Sequence, residues 1–146
     1  YRFRTQHPTA DLFEDDDTQA DASNYTGSQH HTFDAENDAD WVSFEVPQSA
    51  IADGLTYYIE TFNLAYGANH DVALYDMTTT EPLLEWFVES RDGQPSSQAW
   101  QPTKAGTYYL RVQRPWNLFE LFCGDVYDLR IRAGDWQRLY LPVTTP

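Results

Sequence analysis

Trp41-Val-Ser-Phe-Glu-Val46 decides the fold class. Val42, Phe44 and Val46 fall on one side of a two-residue repeat, and Trp41, Ser43 and Glu45 fall on the other. Successive side chains of an extended backbone point to opposite faces, so this is a strand with one face in a core and one in water. Working outward, similar short runs occur at 29–33, 55–62, 71–75, 83–88, 97–101, 107–112 and 126–131. Tyr1 to Thr5 alternates as well, and 135–143 reads as a last strand. Turn chemistry separates the runs: Pro47 to Gly54, Arg91-Asp-Gly-Gln-Pro-Ser96, Lys104-Ala-Gly106, and Ala133-Gly134, which is expected to end the strand before it. Residues 6–27 read as an irregular polar segment, and no stretch of useful length has a helical period. Eight or nine short strands at near-regular spacing predict an all-β fold, an antiparallel β-sandwich or barrel. The predicted core is Val42, Phe44, Val46, Ile59, Val72, Leu74, Tyr108, Leu110, Val112, Tyr127, Leu129 and Ile131.

A chain of 146 residues suits one domain. Its 23 acidic against 9 basic residues give a net charge of −14. That balance argues against nucleic acid and anionic membrane, which select basic surfaces. No apolar run approaches the roughly 20 residues that span a bilayer. Cys123 is the single cysteine, so no internal disulfide forms. The chain begins at Tyr1 without a leader pattern, as expected of a processed chain or a fragment.

Ten of the 23 carboxylates lie between Asp11 and Asp40, with no Lys or Arg among them. Crowded carboxylates repel each other, more so when buried. Two readings follow: a solvated acidic loop, or a site for a hard cation, calcium above all, which takes six to eight oxygens from such residues. His30 and His31 are adjacent on a strand and point to opposite faces, so they do not share an ion. A zinc site needs three or four converging ligands, and none is expected from the four histidines. No Gly-x-Ser-x-Gly elbow, His-Glu-x-x-His helix or phosphate-binding glycine loop is present, which argues against an enzyme. Asp71 is expected to cap a turn at the entry to its strand. Trp86 and Trp100 are expected to pack the fold. Trp116, Phe119 and Phe122 lie in the loop 113–124 beside Pro115 and Asn117, and are the candidates for binding a ligand.

Six blocks together resemble the bacterial pre-peptidase C-terminal domain family: Asp11-Leu-Phe-Glu-Asp-Asp-Asp17, Asp38-Ala-Asp-Trp-Val-Ser-Phe44, Tyr57-Tyr-Ile-Glu-Thr-Phe-Asn-Leu64, Asp71-Val-Ala-Leu-Tyr75, Gly106-Thr-Tyr-Tyr-Leu-Arg-Val112 and Gly124-Asp-Val-Tyr-Asp-Leu-Arg-Ile131. The match covers residues 11–132, leaving an N-terminal tail at 1–10 and a C-terminal tail at 133–146. The resemblance implies a jelly-roll-like sandwich without catalytic activity, appended to secreted, extracellular proteins. It implies an accessory or adhesive role toward polysaccharide or extracellular protein. It also implies calcium, with Glu14, Asp16, Asp17, Asn37 and Asp40 as ligands. Two departures stand out: Glu89-Ser-Arg-Asp92 replaces paired aspartates, and Asp15 follows Glu14 where many members have Pro. A structural role is the alternative, in which the strand-like tails at residues 1–5 and 135–146 pack on adjacent copies to build a homo-oligomer or fibre. In the competing arrangement the tails fold back on their own sheet.

Overall fold

The computed structural model describes residues 10–35, 38–65, 68–89, 94–114 and 126–134. Among them, nine strands follow in chain order: β1 (Ser23–Asn24), β2 (Gln29–Thr32), β3 (Ala39–Val46), β4 (Thr56–Phe62), β5 (His70–Asp76), β6 (Leu84–Val88), β7 (Ser96–Trp100), β8 (Gly106–Gln113) and β9 (Val126–Gly134). They form a five-stranded sheet in the order β1-β3-β8-β5-β6 and a four-stranded sheet in the order β2-β9-β4-β7. The pairings are antiparallel except β1 with β3. This is the β-sandwich that the alternation predicts.

The twelve predicted core residues are all buried. Register explains why they meet. Leu110 on β8 lies between Val42 on β3 and Leu74 on β5, and Val112 lies opposite Val72. On the facing sheet Ile59 pairs with Ile131. Such cross-strand neighbours on one face are the unit of sheet stabilisation. Phe44, Tyr57, Trp100 and Tyr108 close one end of the core, with Trp100 edge-on to Tyr108 at 4.6 Å between ring centres. Trp86 and Trp100 pack half-buried against the core, as expected. Tyr25 fastens the sheets at this end. Its hydroxyl accepts from the Ile131 N–H at 2.9 Å and lies 3.2 Å from the Ile131 carbonyl.

Three local expectations change. The strand at 126–131 does not stop at Ala133 and Gly134, which continue β9 opposite Tyr57 and Thr56 of β4. Backbone pairing with a central neighbour outweighs the weak strand preference of small residues. The turn at 47–54 contains a short helix, α1 (Gln48–Ala52), closed by Gly54 at φ 61° and by Leu55 N–H donating to the Ala50 carbonyl at 2.9 Å. Five residues are too few to display a helical period, and glycine takes this left-handed φ at little cost. The irregular segment contains β1, whose Asn24 accepts a hydrogen bond from the Ser43 hydroxyl at 2.9 Å. That polar pairing has no hydrophobic signature. Among the described residues, no helix is long and apolar enough to cross a membrane.

Candidate metal centre

The phase of β3 carries acids into the interior. Val46, Phe44 and Val42 point inward, and two residues further back Asp40 does the same, 0% exposed. Asp38, another two residues back, is 2% exposed. On β2 the inward positions are Gln29 and His31, both buried. The N-terminal segment lies across this end and is tied down at two points. The Asp16 carbonyl accepts from the Trp41 N–H at 3.0 Å. Asp11 accepts from the Phe13 N–H at 2.8 Å and from the Thr32 N–H at 2.7 Å. Phe13 then stacks on His31 with ring centres 4.9 Å apart.

These ties converge Asp11, Glu14, Asp16, Asp17, Asp38 and Asp40 on one end of the sandwich. Glu14, Asp16 and Asp40 place one oxygen each within 4.8 Å of one another, and so do Glu14, Asp17 and Asp38. Calcium holds oxygens at 2.3–2.6 Å, so oxygens on opposite sides of one ion lie roughly 4.6–5.2 Å apart. Each triad therefore fits within one calcium shell. Three of the oxygens are buried without a hydrogen-bond partner: Glu14 Oε1, Asp16 Oδ2 and Asp40 Oδ1. An unpartnered buried acceptor costs about 1–3 kcal/mol, more when charged, so three in one cluster call for a cation or for protons. Other oxygens are already held: Asp38 Oδ2 accepts from the Asp34 N–H, and Asp40 Oδ2 accepts from the Tyr127 hydroxyl, each at 2.5 Å.

Four of the five expected ligands, Glu14, Asp16, Asp17 and Asp40, are thus neighbours; Asn37 lies outside the described residues. Asp38 joins Glu14 and Asp17 without having been expected to, and Asp11 sits against the inner side of the cluster. Trp116, Phe119 and Phe122, and both tails at 1–5 and 135–146, also lie outside the described residues. Asp71 is placed inside β5 beside Glu85 and Arg111, and it is Asp76 that caps a turn, accepting from the Thr78 and Thr79 N–H groups at 2.8 and 3.0 Å.

The cluster holds its protons tightly when no cation is bound. Burial, then Asp38 and Asp34, pushes the Glu14 carboxyl up to about 8. Burial and Asp40 push Asp16 up to about 7, against the pull of His31. Burial pushes Asp38 up to about 7, with Asp40 adding to it after the Asp34 N–H opposes it. Burial raises Asp40 too, although His31 and Tyr127 favour its charge. For His31, burial opposes the charge, but Asp40, Asp11 and Asp16 outweigh it and leave the ring above its ordinary range. Carboxyls raised on folding make the folded state hold more protons than the unfolded state between their ordinary values and about pH 8. Stability then falls as pH rises through that window. The raised His31 acts in the same direction. Buried His70 is lowered to about 4 by desolvation, so its contribution is lost only as pH falls below 6.5 toward 4. The metal-free chain is therefore expected to lose on the order of 2 kcal/mol between pH 6.5 and 8 after allowing for solvent screening. Urea denaturation across that range in excess chelator checks this; stability that rises with pH would contradict it.

No protein-family model matches the sequence, and no curated protein does. Among solved structures, the chain is similar to the pre-peptidase C-terminal domain of a collagenase from Bacillus anthracis. The TM-score is 0.45 at 16% sequence identity, covering 76% of this chain and 92% of that chain.

Proposed function

We propose that this chain is a non-catalytic, calcium-binding β-sandwich module that serves as an accessory or adhesive domain of a secreted protein. One observation carries the reading. Buried oxygens of Glu14, Asp16 and Asp40 lack partners at a place where six carboxylates converge. Glu14 is common to both triads, Asp16, Asp38 and Asp40 form the buried wall, and Asp17 completes the exposed side. Because Asp11, Glu14, Asp16 and Asp17 come from the N-terminal segment and Asp38 and Asp40 from the approach to β3, the ion clasps that segment onto the sandwich. Isothermal titration at pH 7.5 is expected to show calcium binding that magnesium does not match, since magnesium demands a smaller, near-octahedral shell. Asp38→Asn should weaken calcium at least about tenfold, the factor of an interaction worth about 1.4 kcal/mol. A flat titration would end the calcium reading.

The adhesive reading draws support from the outer face of the five-stranded sheet. Trp41 and Tyr75 lie with ring centres 5.2 Å apart, and the Arg111 guanidinium sits over them at 5.9 and 5.6 Å. Tyr75 is buried beneath this face, and the partly exposed Trp41 beside the cation offers aromatic contact at low entropic cost to polysaccharide or extracellular protein. Trp41→Ala is expected to reduce retention on insoluble polymers by about tenfold, the 1–2 kcal/mol of one aromatic contact. Unchanged retention across a panel of polysaccharides and fibrous proteins would remove this face from the account.

A further inference from the structure

His31 forms the inner wall of the acid cluster and is 0% exposed. Its Nδ1 has no hydrogen-bond partner. It faces Asp40 Oδ1 at 3.6 Å and Asp11 Oδ2 at 3.7 Å, too far for hydrogen bonds. On the other side of the ring, Nε2 lies 3.4 Å from Gln29 Oε1. That oxygen only accepts, so Nε2 carries a hydrogen, and Nδ1 is the ring nitrogen that faces the two carboxylates and offers a lone pair to any ion that displaces its proton. Nδ1 thus looks into one buried space with Asp40 Oδ1 and Asp11 Oδ2, and the three residues place one ligand atom each within 4.8 Å of one another. Such a space repels its own lining unless something positive sits in it.

The dimensions suit a small borderline ion. Four-coordinate zinc, with nitrogen and oxygen ligands near 2.0–2.1 Å, sets its donors about 3.3–3.4 Å apart. The two nitrogen-to-oxygen separations exceed that by a few tenths of an ångström. We propose that Asp11, His31 and Asp40 form a second cation site, adjacent to the all-oxygen triads around Glu14 and sharing Asp40 with one of them, that takes zinc or a similar imidazole-binding divalent ion with water in the fourth position. Calcium prefers oxygen and does not use imidazole in this way, so the nitrogen donor separates the two classes.

The surroundings are those of a held ligand. Gln29 fixes the tautomer from behind, as the outer hydrogen bond of a metal-bound histidine does. Phe13 and Tyr127 stack on either face of the ring, at 4.9 and 5.2 Å. The Tyr127 hydroxyl occupies Asp40 Oδ2 and leaves Oδ1 for the ion, while the Thr32 N–H steadies the Asp11 carboxylate. His30, the neighbour on β2, is exposed and bonded to Asp128 at 2.6 Å, so it takes no part.

The site does not depend on the calcium reading, and the test keeps the two apart. The full chain is titrated with zinc, and with cobalt as a visible-absorbing substitute, with and without saturating calcium. Wild type and His30→Ala are expected to bind one equivalent. His31→Phe, which keeps an apolar ring between Phe13 and Tyr127, is expected to bind zinc at least about tenfold more weakly, the size of effect that even outer-shell changes produce. Zinc bound by a chain that ignores calcium would support this site and remove the calcium reading. Calcium bound by a chain that ignores zinc would overturn this site alone, and so would a zinc isotherm unchanged in His31→Phe. If that variant does not fold, nitrogen NMR of His31 in the wild type decides. Zinc should shift Nδ1 and leave Nε2 protonated, whereas a ring protonated on both nitrogens in the presence of zinc would overturn the proposal.

Discussion

Saturating calcium is expected to raise the melting temperature of this chain, and excess chelator to return it to the metal-free value. The unfolded chain does not gather Glu14, Asp16, Asp17, Asp38 and Asp40, so an ion held by them would bind the folded state alone. At about 100 times the dissociation constant such binding adds about 2.7 kcal/mol. For a domain of this size that corresponds to a rise of about 5–10 °C. The rise should be larger at pH 8 than at pH 6, because Glu14, Asp16 and Asp38 hold protons that the ion must displace. Glu14→Gln keeps the volume of the side chain common to both triads and removes its charge, so it should abolish most of the rise. Asp17→Asn should have a smaller effect, since Asp17 is exposed. Scanning calorimetry with calcium and with chelator reads all three chains, and identical melting curves would count against the whole scheme.

Tyr127→Ala is expected to cost about 3–5 kcal/mol, the range for deleting a large buried ring. Tyr127 is fully buried and packs against Phe33, His31 and His70, with each ring centre 5.2 Å away. It is the point where the apolar core meets the acid cluster. Tyr127→Phe separates the two roles. It keeps the packing and removes the donor to Asp40, leaving a carboxylate whose other oxygen already lacks a partner. That change should cost about 1–3 kcal/mol by itself and weaken calcium binding. Denaturation curves of both variants measure the split. A Phe variant as stable as wild type would show that the hydroxyl contributes nothing to holding Asp40.

Strand phase made the core legible, and it also carried more about the site than the acidic composition did. Counting back by twos from Val46 through Phe44 and Val42 reaches Asp40 and then Asp38. The same step along β2 reaches Gln29, His31 and Phe33. Extending an apolar alternation into polar residues thus picks out acids that are forced indoors. Asp38 was missed because it precedes the strand, where apolar periodicity gives no reason to continue the count. Asp11 and the role of the Tyr127 hydroxyl, on a residue expected only in the core, stayed hidden for another reason: their partners, Thr32 and Asp40, lie far away in sequence, and no spacing encodes such contacts. The continuation of β9 through Gly134 was hidden likewise, since its partner strand β4 supplies the reason for it. The resemblance to a known family supplied Glu14, Asp16 and Asp17, which lie in a segment without periodicity of its own.

The central claim is that carboxylates from the N-terminal segment and from the approach to β3 share a calcium ion. A crystal structure of the full chain grown at pH 7.5 with calcium tests it most directly. The expected result is a strong peak enclosed by oxygens of Glu14, Asp16 and Asp40 or of Glu14, Asp17 and Asp38, at 2.3–2.6 Å from each ligand. Water in place of that peak, with the carboxylates turned outward to solvent, would contradict the claim.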